Sequence, residues 1–459
     1  MEETVIESDR VDRYLVEKSL PLGLWRFAAP FMLAYFLQAL YGAVDVFIVG
    51  QFCDEAAIAA VSTGAQLLQA LTGLILGLSA GGTALIAYNV GAKDHEGAAK
   101  AIGSSATLFA LIAVVATPLI AFFTNEFVDV MQTPVEAVEY TRRYCFIIAC
   151  GLPFIIGYNV IGAIYRGFGD STTPTVFVAI ACVLNMLGDY LLVAVGGYGP
   201  QGAAIATVAA QGLSLALALV YMRVKRFEVD FHRRHFRWDG KATGKILEVG
   251  APLALQDALT GVSFLVIIAI VNAMGVIPAA GMGVAERVIG FLFLPPVAFS
   301  VAVVTATAQN IGARQIRRAF LSSMYGTLFA FLFGVFFWVV CQIFPLEMAS
   351  IFTDVEAVAY NASLYLRTFS LDLLFVAFIF NMNGFFCGSG RAFFVLAHSA
   401  FAAIFARIPL SYLFSRGEEA TLLEVGWAAP LASCVSVLLC AAYFIILWRK
   451  RTDVEAGSQ

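Results

Sequence analysis

Two aspartates stand in runs that otherwise carry no charge: Asp45 in "LYGAVDVFIVG" and Asp189 in "LNMLGDYLLV". A carboxylate at the centre of a membrane helix costs about 2.5–3.5 kcal/mol on insertion scales, so each calls for a compensating partner. Each has polar company at helical spacing. Gln38, Tyr41 and Asp45 fall at i, i+3 and i+7, Asn185 and Asp189 at i and i+4, and Thr207 and Gln211 at i and i+4. Gln66 and Gln69 share a face of a further helix, where they serve equally well as hydrogen-bonding glue between helices. Two carboxylates held together away from water do not both stay ionised unless a cation joins them. A proton on one carboxyl meets that need. So does a bare cation ligated by the two carboxylates, the Asn185 amide oxygen and the Thr207 hydroxyl. The residues leave H⁺ and Na⁺ as alternatives, and no other metal site is expected.

The rest of the chain says what must position these groups. Its 459 residues are 60% hydrophobic and 13% charged, with a mean hydropathy of +0.84. A soluble domain carries about 25% charged residues. Stretches of about 20 apolar residues, enough to span a bilayer, recur along the chain. They are continuous and do not alternate in period two, which excludes a β-barrel. The acidic, polar start "MEETVIESDRVDRYLVEK" and the length of the first apolar run lead us to expect no cleaved targeting segment. No HExxH, Walker or CxxC sequence occurs, and no enzyme, organic cofactor or nucleotide-driven pump is expected.

Hydropathy places twelve spans at about 25–49, 60–90, 101–123, 143–164, 173–196, 202–222, 246–271, 280–308, 319–345, 366–387, 393–415 and 424–448. The halves repeat. "APFML" at Ala29 returns as "APLAL" at Ala251, "NVGAK" at Asn89 as "NIGAR" at Asn310, and "VEAVEY" at Val135 as "VEAVAY" at Val355. "GFG" at Gly167 returns as "GSG" at Gly388, and "GAA" at Gly202 as "GWA" at Gly426; all five offsets lie between 220 and 224. The expected fold is an all-α polytopic membrane protein with twelve transmembrane helices in two six-helix lobes. Residues 1–222 form the first lobe, a basic linker covers 223–245, and 246–459 form the second. Six is an even number, so the repeats enter the membrane in the same sense and are related by a pseudo-twofold axis along its normal. With cytoplasmic termini, 22 of the 28 Lys and Arg fall on the inside, as the positive-inside rule requires. The linker also carries Phe227, Phe231, Phe236 and Trp238, the pattern of an amphipathic segment on the inner surface or of a solvated connector.

The repeat also tests the aspartates. Asp45 corresponds to Val266 or Ile267, and Asp189 falls among Leu410, Ser411, Tyr412 and Leu413. One lobe therefore folds without either carboxylate, and the pair belongs to a task and not to the scaffold. The second lobe has its own intramembrane groups: Gln256 and Asp257, Glu286 and Arg287, Asp372, and Arg407. Internal pairing, for example of Arg407 with Asp372, is the expectation there. Pro30 in helix 1 and Pro295-Pro296 in helix 8 remove backbone hydrogen bonds and should bend those helices.

Taken together, "NVGAK" and "NIGAR", "YRGFGDSTTP" after helix 4 and "NMLGDYLLV" in helix 5 resemble the multidrug and toxic compound extrusion (MATE) family over nearly the whole chain. The Asn-x3-Asp of helix 5 with the helix 1 aspartate is similar to the branch typified by the DNA-damage-inducible DinF proteins. The resemblance implies a coupling-cation network of Asp45, Asn185, Asp189 and Thr207, with Gln38, Tyr41 and Asn159 nearby and Pro30 as the helix-1 bend. It implies antiport of amphipathic, cationic or mixed organic compounds against H⁺ or Na⁺, by alternating access, at the inner cell membrane. Such a protein works as a monomer in the bilayer, without a nucleic-acid or obligate protein partner. The NorM-like branch instead uses carboxylates of helices 7 and 10, and Asp257 and Asp372 lie on those helices without a matching register. A flippase for lipids or lipid-linked saccharides is the nearest alternative, and a membrane receptor or scaffold is the alternative of a different class.

Overall fold

The computed structural model describes residues 15–224, 235–417 and 420–456. The described residues are helical, with no strand among them. Phe227 and Phe231 of the linker, like Arg10 and Arg13, lie outside them. Among the described residues eleven helices are long and apolar enough to cross a membrane, or twelve when one bent pair counts as a single span.

The first repeat contains α1 (Leu20–Phe52), α2 (Glu55–Gly91), α3 (His95–Phe122), the short α4 (Thr124–Val130), α5 (Val138–Phe168), α6 (Thr172–Asp189) and α7 (Gly199–Val224). The second contains α8 (Gly240–Asn272), α9 (Val276–Leu292), α10 (Leu294–Gly312), α11 (Ile316–Ile343), α12 (Pro345–Ser350), α13 (Glu356–Phe369), α14 (Asp372–Gly388), α15 (Ala392–Ala402), α16 (Ile408–Phe414), α17 (Leu422–Gly426) and α18 (Ala428–Ala456). Both repeats open on a 33-residue helix with an internal proline, Pro30 in α1 and Pro252 in α8. The chain divides into two compact units, Met1–Glu17 with Ala29–Gly250, and Lys18–Ala28 with Ala251–Gln459. The α8 helix thus begins within the first unit, six residues short of where the hydropathy reading starts its span, and α1 begins within the second.

Two expected spans are broken. Residues 280–308 do not form one helix: α9 ends at Leu292, and α10 restarts at Leu294 with Pro295 and Pro296 in its first turn. Proline has no N–H to offer the preceding turn, and it is tolerated at the start of a helix, where that donor has no intrahelical partner. The expected bend is therefore a break. The tenth span, expected at 366–387, is α13 and α14 with a bend of 54° between them.

Helix ends repeat more faithfully than helix interiors. After α2, Lys93 has φ 58°, and after α10, Arg314 has φ 59°. In each case the next amide closes back onto the repeated asparagine, Asp94 N to Asn89 O at 2.9 Å and Gln315 N to Asn310 O at 2.8 Å. This left-handed cap satisfies carbonyls that a helix end otherwise leaves bare. Gly169 (φ 91°) and Gly390 (φ 76°) build the same cap after α5 and α14.

The first unit's core gathers α2, α3, α5 and α7 around Ile86, Phe109, Ile148, Leu152 and Ile155. Gly81 of α2 faces the Ile246 carbonyl so closely that a Cβ would sit 2.0 Å from it, which brings the start of α8 against α2 within this unit. The second unit's core centres on α9, α13 and α17, with Phe369, Leu373 and Leu422.

Candidate cation site of the first lobe

Close approach of α6 and α7 creates the site. A Cβ on Gly188 would lie 2.8 Å from the Ala206 Cβ, so the glycine lets the two backbones meet beside Asp189 and Thr207. Asp45 is 5% exposed, Asp189 0%, and Asn185 and Thr207 are buried with them. The Asn185 amide Nδ2 donates to Thr207 Oγ1 at 3.2 Å. Thr207 Oγ1 in turn donates to Asp45 Oδ2 at 3.4 Å. Asp189 and Asp45 stand close enough for one carboxyl to hydrogen-bond the other when a proton is present.

The donors then run out. Asp45 Oδ1, Asn185 Oδ1 and both Asp189 oxygens are buried without a hydrogen-bond partner. An unsatisfied buried polar atom costs about 1–3 kcal/mol, and more when charged. Four acceptor oxygens on three buried residues are thus left without a donor. Immediately after Asp189 the helix widens into a π-helical stretch, Tyr190–Val195. Such widening in an α-helix is frequent at functional sites.

Tyr41 faces Gln211, which is buried with its Oε1 unpartnered. Gln38 and Asn159 line a different cleft in the same unit, of about 30 Å³, room for a water or two. Asn159 there spends its amide on the Ile155 carbonyl at 2.8 Å. Gln66 and Gln69 are exposed on α2. The α1 helix runs unbroken through Pro30, whose carbonyl lies 2.9 Å from the Thr175 hydroxyl.

The residue reading missed Tyr144. It is 1% exposed, and it lies within electrostatic reach of Asp45, Tyr41 and Asp189. Its ring crosses α2 at Gly64, where a Cβ would be 2.1 Å from the ring. A tyrosine on one apolar helix and a glycine on another give a signal only once they are seen to touch.

In the second lobe the expected Arg407–Asp372 pair does not form. Arg407 lies instead over the Phe264 ring, 4.1 Å from its centroid, and its Nε has no partner. Asp372 Oδ1 and Glu286 Oε1 are also unpartnered. The planar guanidinium gains a ring face on α8 in place of a carboxylate. Gln256 is half-buried and Asp257 exposed on α8. A second cluster escaped the sequence reading: His398 Nε2 is 2.9 Å from Asn383 Oδ1 and Nδ1 is 3.4 Å from Ser436 Oγ, with Cys440 Sγ 3.4 Å from Nε2.

Fold and site together define a duplicated polytopic membrane protein with a buried acidic cluster in one repeat. The MatE family model matches residues 30–191 and 252–413, one stretch in each repeat, and the chain belongs to that family. It is similar to the probable multidrug resistance protein YoeA of Bacillus subtilis (strain 168), with 26% identity over 95% of this chain and 96% of that protein. It is also similar to the multidrug export protein MepA of Staphylococcus haemolyticus, with 24% identity over 97% of each chain. A solved outward-facing multidrug resistance MATE family transporter of the MOP superfamily superposes with a TM-score of 0.87 at 22% identity, covering 93% of this chain and 95% of that one.

Proposed function

We propose that this protein is a cation-coupled exporter of amphipathic organic molecules, working by alternating access in the cytoplasmic membrane with both termini inside. The observation that carries the reading is the set of unpartnered oxygens on Asp45, Asn185 and Asp189. In the absence of a cation, two carboxylates in a dry site repel. A proton shared between them, or a Na⁺ among the four oxygens, removes the repulsion and draws α1, α6 and α7 together. Because Asp45 is on α1, loading the site acts on that helix, and release of cargo follows from its rearrangement. The names of the relatives above, a probable multidrug resistance protein and a multidrug export protein, support the same assignment.

The test is reconstitution of the full chain in liposomes, with a fluorescent organic cation as cargo and pH and Na⁺ gradients imposed separately. Flux that follows one gradient identifies the coupling ion. Flux that ignores both gradients sinks the reading. A second reading, a flippase for lipids or lipid-linked saccharides, is favoured by one observation, a buried arginine in the other cleft of the same lobe.

A further inference from the structure

Arg166 of α5 lines the small cleft that also holds Gln38 and Asn159, and it is only 8% exposed. Its guanidinium folds back over Gly162, close enough that a Cβ there would be 3.0 Å from an Nη. Phe31 of α1 supplies a ring face at 5.6 Å from the guanidinium carbon, and the Tyr35 and Tyr158 side chains lie within electrostatic reach. Among the described residues no carboxylate forms a salt bridge with Arg166. Asp170, the acid nearest to it in sequence, accepts the Thr173 N–H at 2.9 Å instead. The acidic cluster is too distant to serve: Phe31 and Asp45 are fourteen residues apart on α1, about 21 Å along the axis. A buried charge without a counterion is costly, so this guanidinium calls for an anion from outside the chain.

The cleft decides what kind of anion. Most polar groups of its lining are spent on backbone carbonyls: the Asn159 amide on Ile155 at 2.8 Å, the Tyr158 hydroxyl on Pro174 at 3.4 Å, and the Thr175 hydroxyl on Ser171 at 2.8 Å. The guanidinium, with five N–H donors, is the main donor left. A space of about 30 Å³ takes one ion little larger than a water and no molecule with a body attached. Tyr35, Gln38 and Leu76 of the lining are partly exposed, which leaves such an ion a way in. The repeat shows that the fold does not require this charge. At the common offset of 221 residues Arg166 corresponds to Cys387, and both residues accept the same cap bond, from Gly169 N at 2.9 Å and from Gly390 N at 3.0 Å. Helix termination explains the carbonyl of Arg166 and leaves its side chain unexplained.

We infer that the Arg166 cleft holds a single chloride ion as the resident counterion of the guanidinium. Chloride is monatomic, carries one charge and asks only for donors, which matches the space and the groups that line it. Tyr35 and Gln38 belong to α1, Arg166 to α5 and Thr175 to α6, so the ion neutralises the charge where these three helices meet. The inference goes beyond the proposed function and does not depend on it, since it holds whichever cation or cargo the protein takes.

Thermal unfolding of the full chain in detergent tests it, with sodium gluconate replaced stepwise by sodium chloride. Sodium and ionic strength stay fixed, so the acidic cluster of the same lobe sees no change, and gluconate is too large for the cleft. The wild type is expected to gain stability with a saturating dependence on chloride. Its Tm should rise by about 2 °C at ten times the half-saturating concentration. Bromide should substitute for chloride. Arg166→Gln should abolish the response to both halides. Gly162→Ala keeps the charge and crowds the guanidinium, so it should raise the half-saturating concentration by at least about threefold; it decides the matter where Arg166→Gln does not fold. A wild type whose Tm is the same in chloride and gluconate, or changes without saturating, overturns the inference and leaves the cleft to water. So does an Arg166→Gln variant that keeps the saturating response or, where that variant does not fold, a Gly162→Ala variant with the wild-type half-saturation. Absence of gradient-driven flux would overturn only the coupling mechanism, since these measurements contain no gradient.

Discussion

The two lobes share a scaffold and place their charges differently on it. In the first, the acids Asp45 and Asp189 sit towards the C-terminal end of α1 and α6, and the base Arg166 sits at the end of α5. In the second, the base Arg407 lies over Phe264, within a turn of the positions that match Asp189. The acid Asp257 corresponds to Tyr35, the neighbour of Arg166. A tyrosine stands in the middle of both arrangements, Tyr144 among Asp45 and Asp189 and Tyr365, 221 residues on, among Arg407, Glu286 and Asp372. Duplication therefore preserved backbone caps, the length of the opening helix and one aromatic while the charges diverged. What the lobes share is what folding requires, and what differs is where each lobe's task resides.

The strongest way to break that comparison is to neutralise charges lobe by lobe. Asp45→Asn or Asp189→Asn is expected to lower gradient-driven flux by about 100-fold, since a charged ligand is worth up to about 3 kcal/mol. Arg407→Gln and Asp372→Asn in the second lobe are expected to cost less than about tenfold, because neither belongs to the first lobe's set of unpartnered oxygens. Initial rates in liposomes measure both. Equal losses from the two lobes would remove the asymmetry on which the function was assigned.

The next test concerns the contact that seats Tyr144. Gly64 corresponds to Ala285 at the common offset, so Gly64→Ala gives the first lobe the residue of the second. Its new methyl meets the Tyr144 ring at 2.1 Å, an overpacking expected to cost about 1–3 kcal/mol and to displace the ring from Asp45. Ala285→Gly in the second lobe should cost only about 0.5–1 kcal/mol, from backbone entropy in α9. Thermal unfolding in detergent, paired with flux, distinguishes the two. A silent Gly64→Ala would mean that Tyr144 is packing alone.

Much of this was legible in residue patterns, for reasons that also mark where legibility stops. Asp45, Asn185, Asp189 and Thr207 stood out because a polar atom in an apolar run has few explanations, and helical spacing alone places it on a face. The repeated "NVGAK" and "NIGAR" runs set one half of the chain in register with the other, because the same helix end is built twice. Broken helices were less legible. Pro295-Pro296 announced a distortion, but whether a helix bends or restarts depends on what its freed carbonyls meet. Nothing local marked the turn between α13 and α14. Arg166 was read as one more basic residue on the inner side, since its burial follows from Phe31 and Gly162 on neighbouring turns and helices. The Arg407–Asp372 pairing failed because charge alone was considered, and a ring on α8 competed for the guanidinium.

If caps belong to the scaffold, damage to them should be the same in both lobes. Gly169→Ala and Gly390→Ala force an L side chain into the left-handed region at φ 91° and 76°. Each is expected to cost about 1–2 kcal/mol, with no preferential loss of flux. The smallest effect belongs to the other pair of caps, where Lys93 and Arg314 already occupy that region at φ 58° and 59°. Lys93→Gly or Arg314→Gly relieves about 1 kcal/mol of backbone strain and forfeits about 0.3–1 kcal/mol of charge–dipole attraction, so the net change is close to zero in either lobe. Raising the salt concentration screens the second quantity and leaves the first. Both glycine variants should therefore melt slightly above the wild type at high salt and level with it at low salt, by equal amounts for the two lobes. A shift confined to Lys93 would place that loop with the first lobe's particular task and outside the shared scaffold.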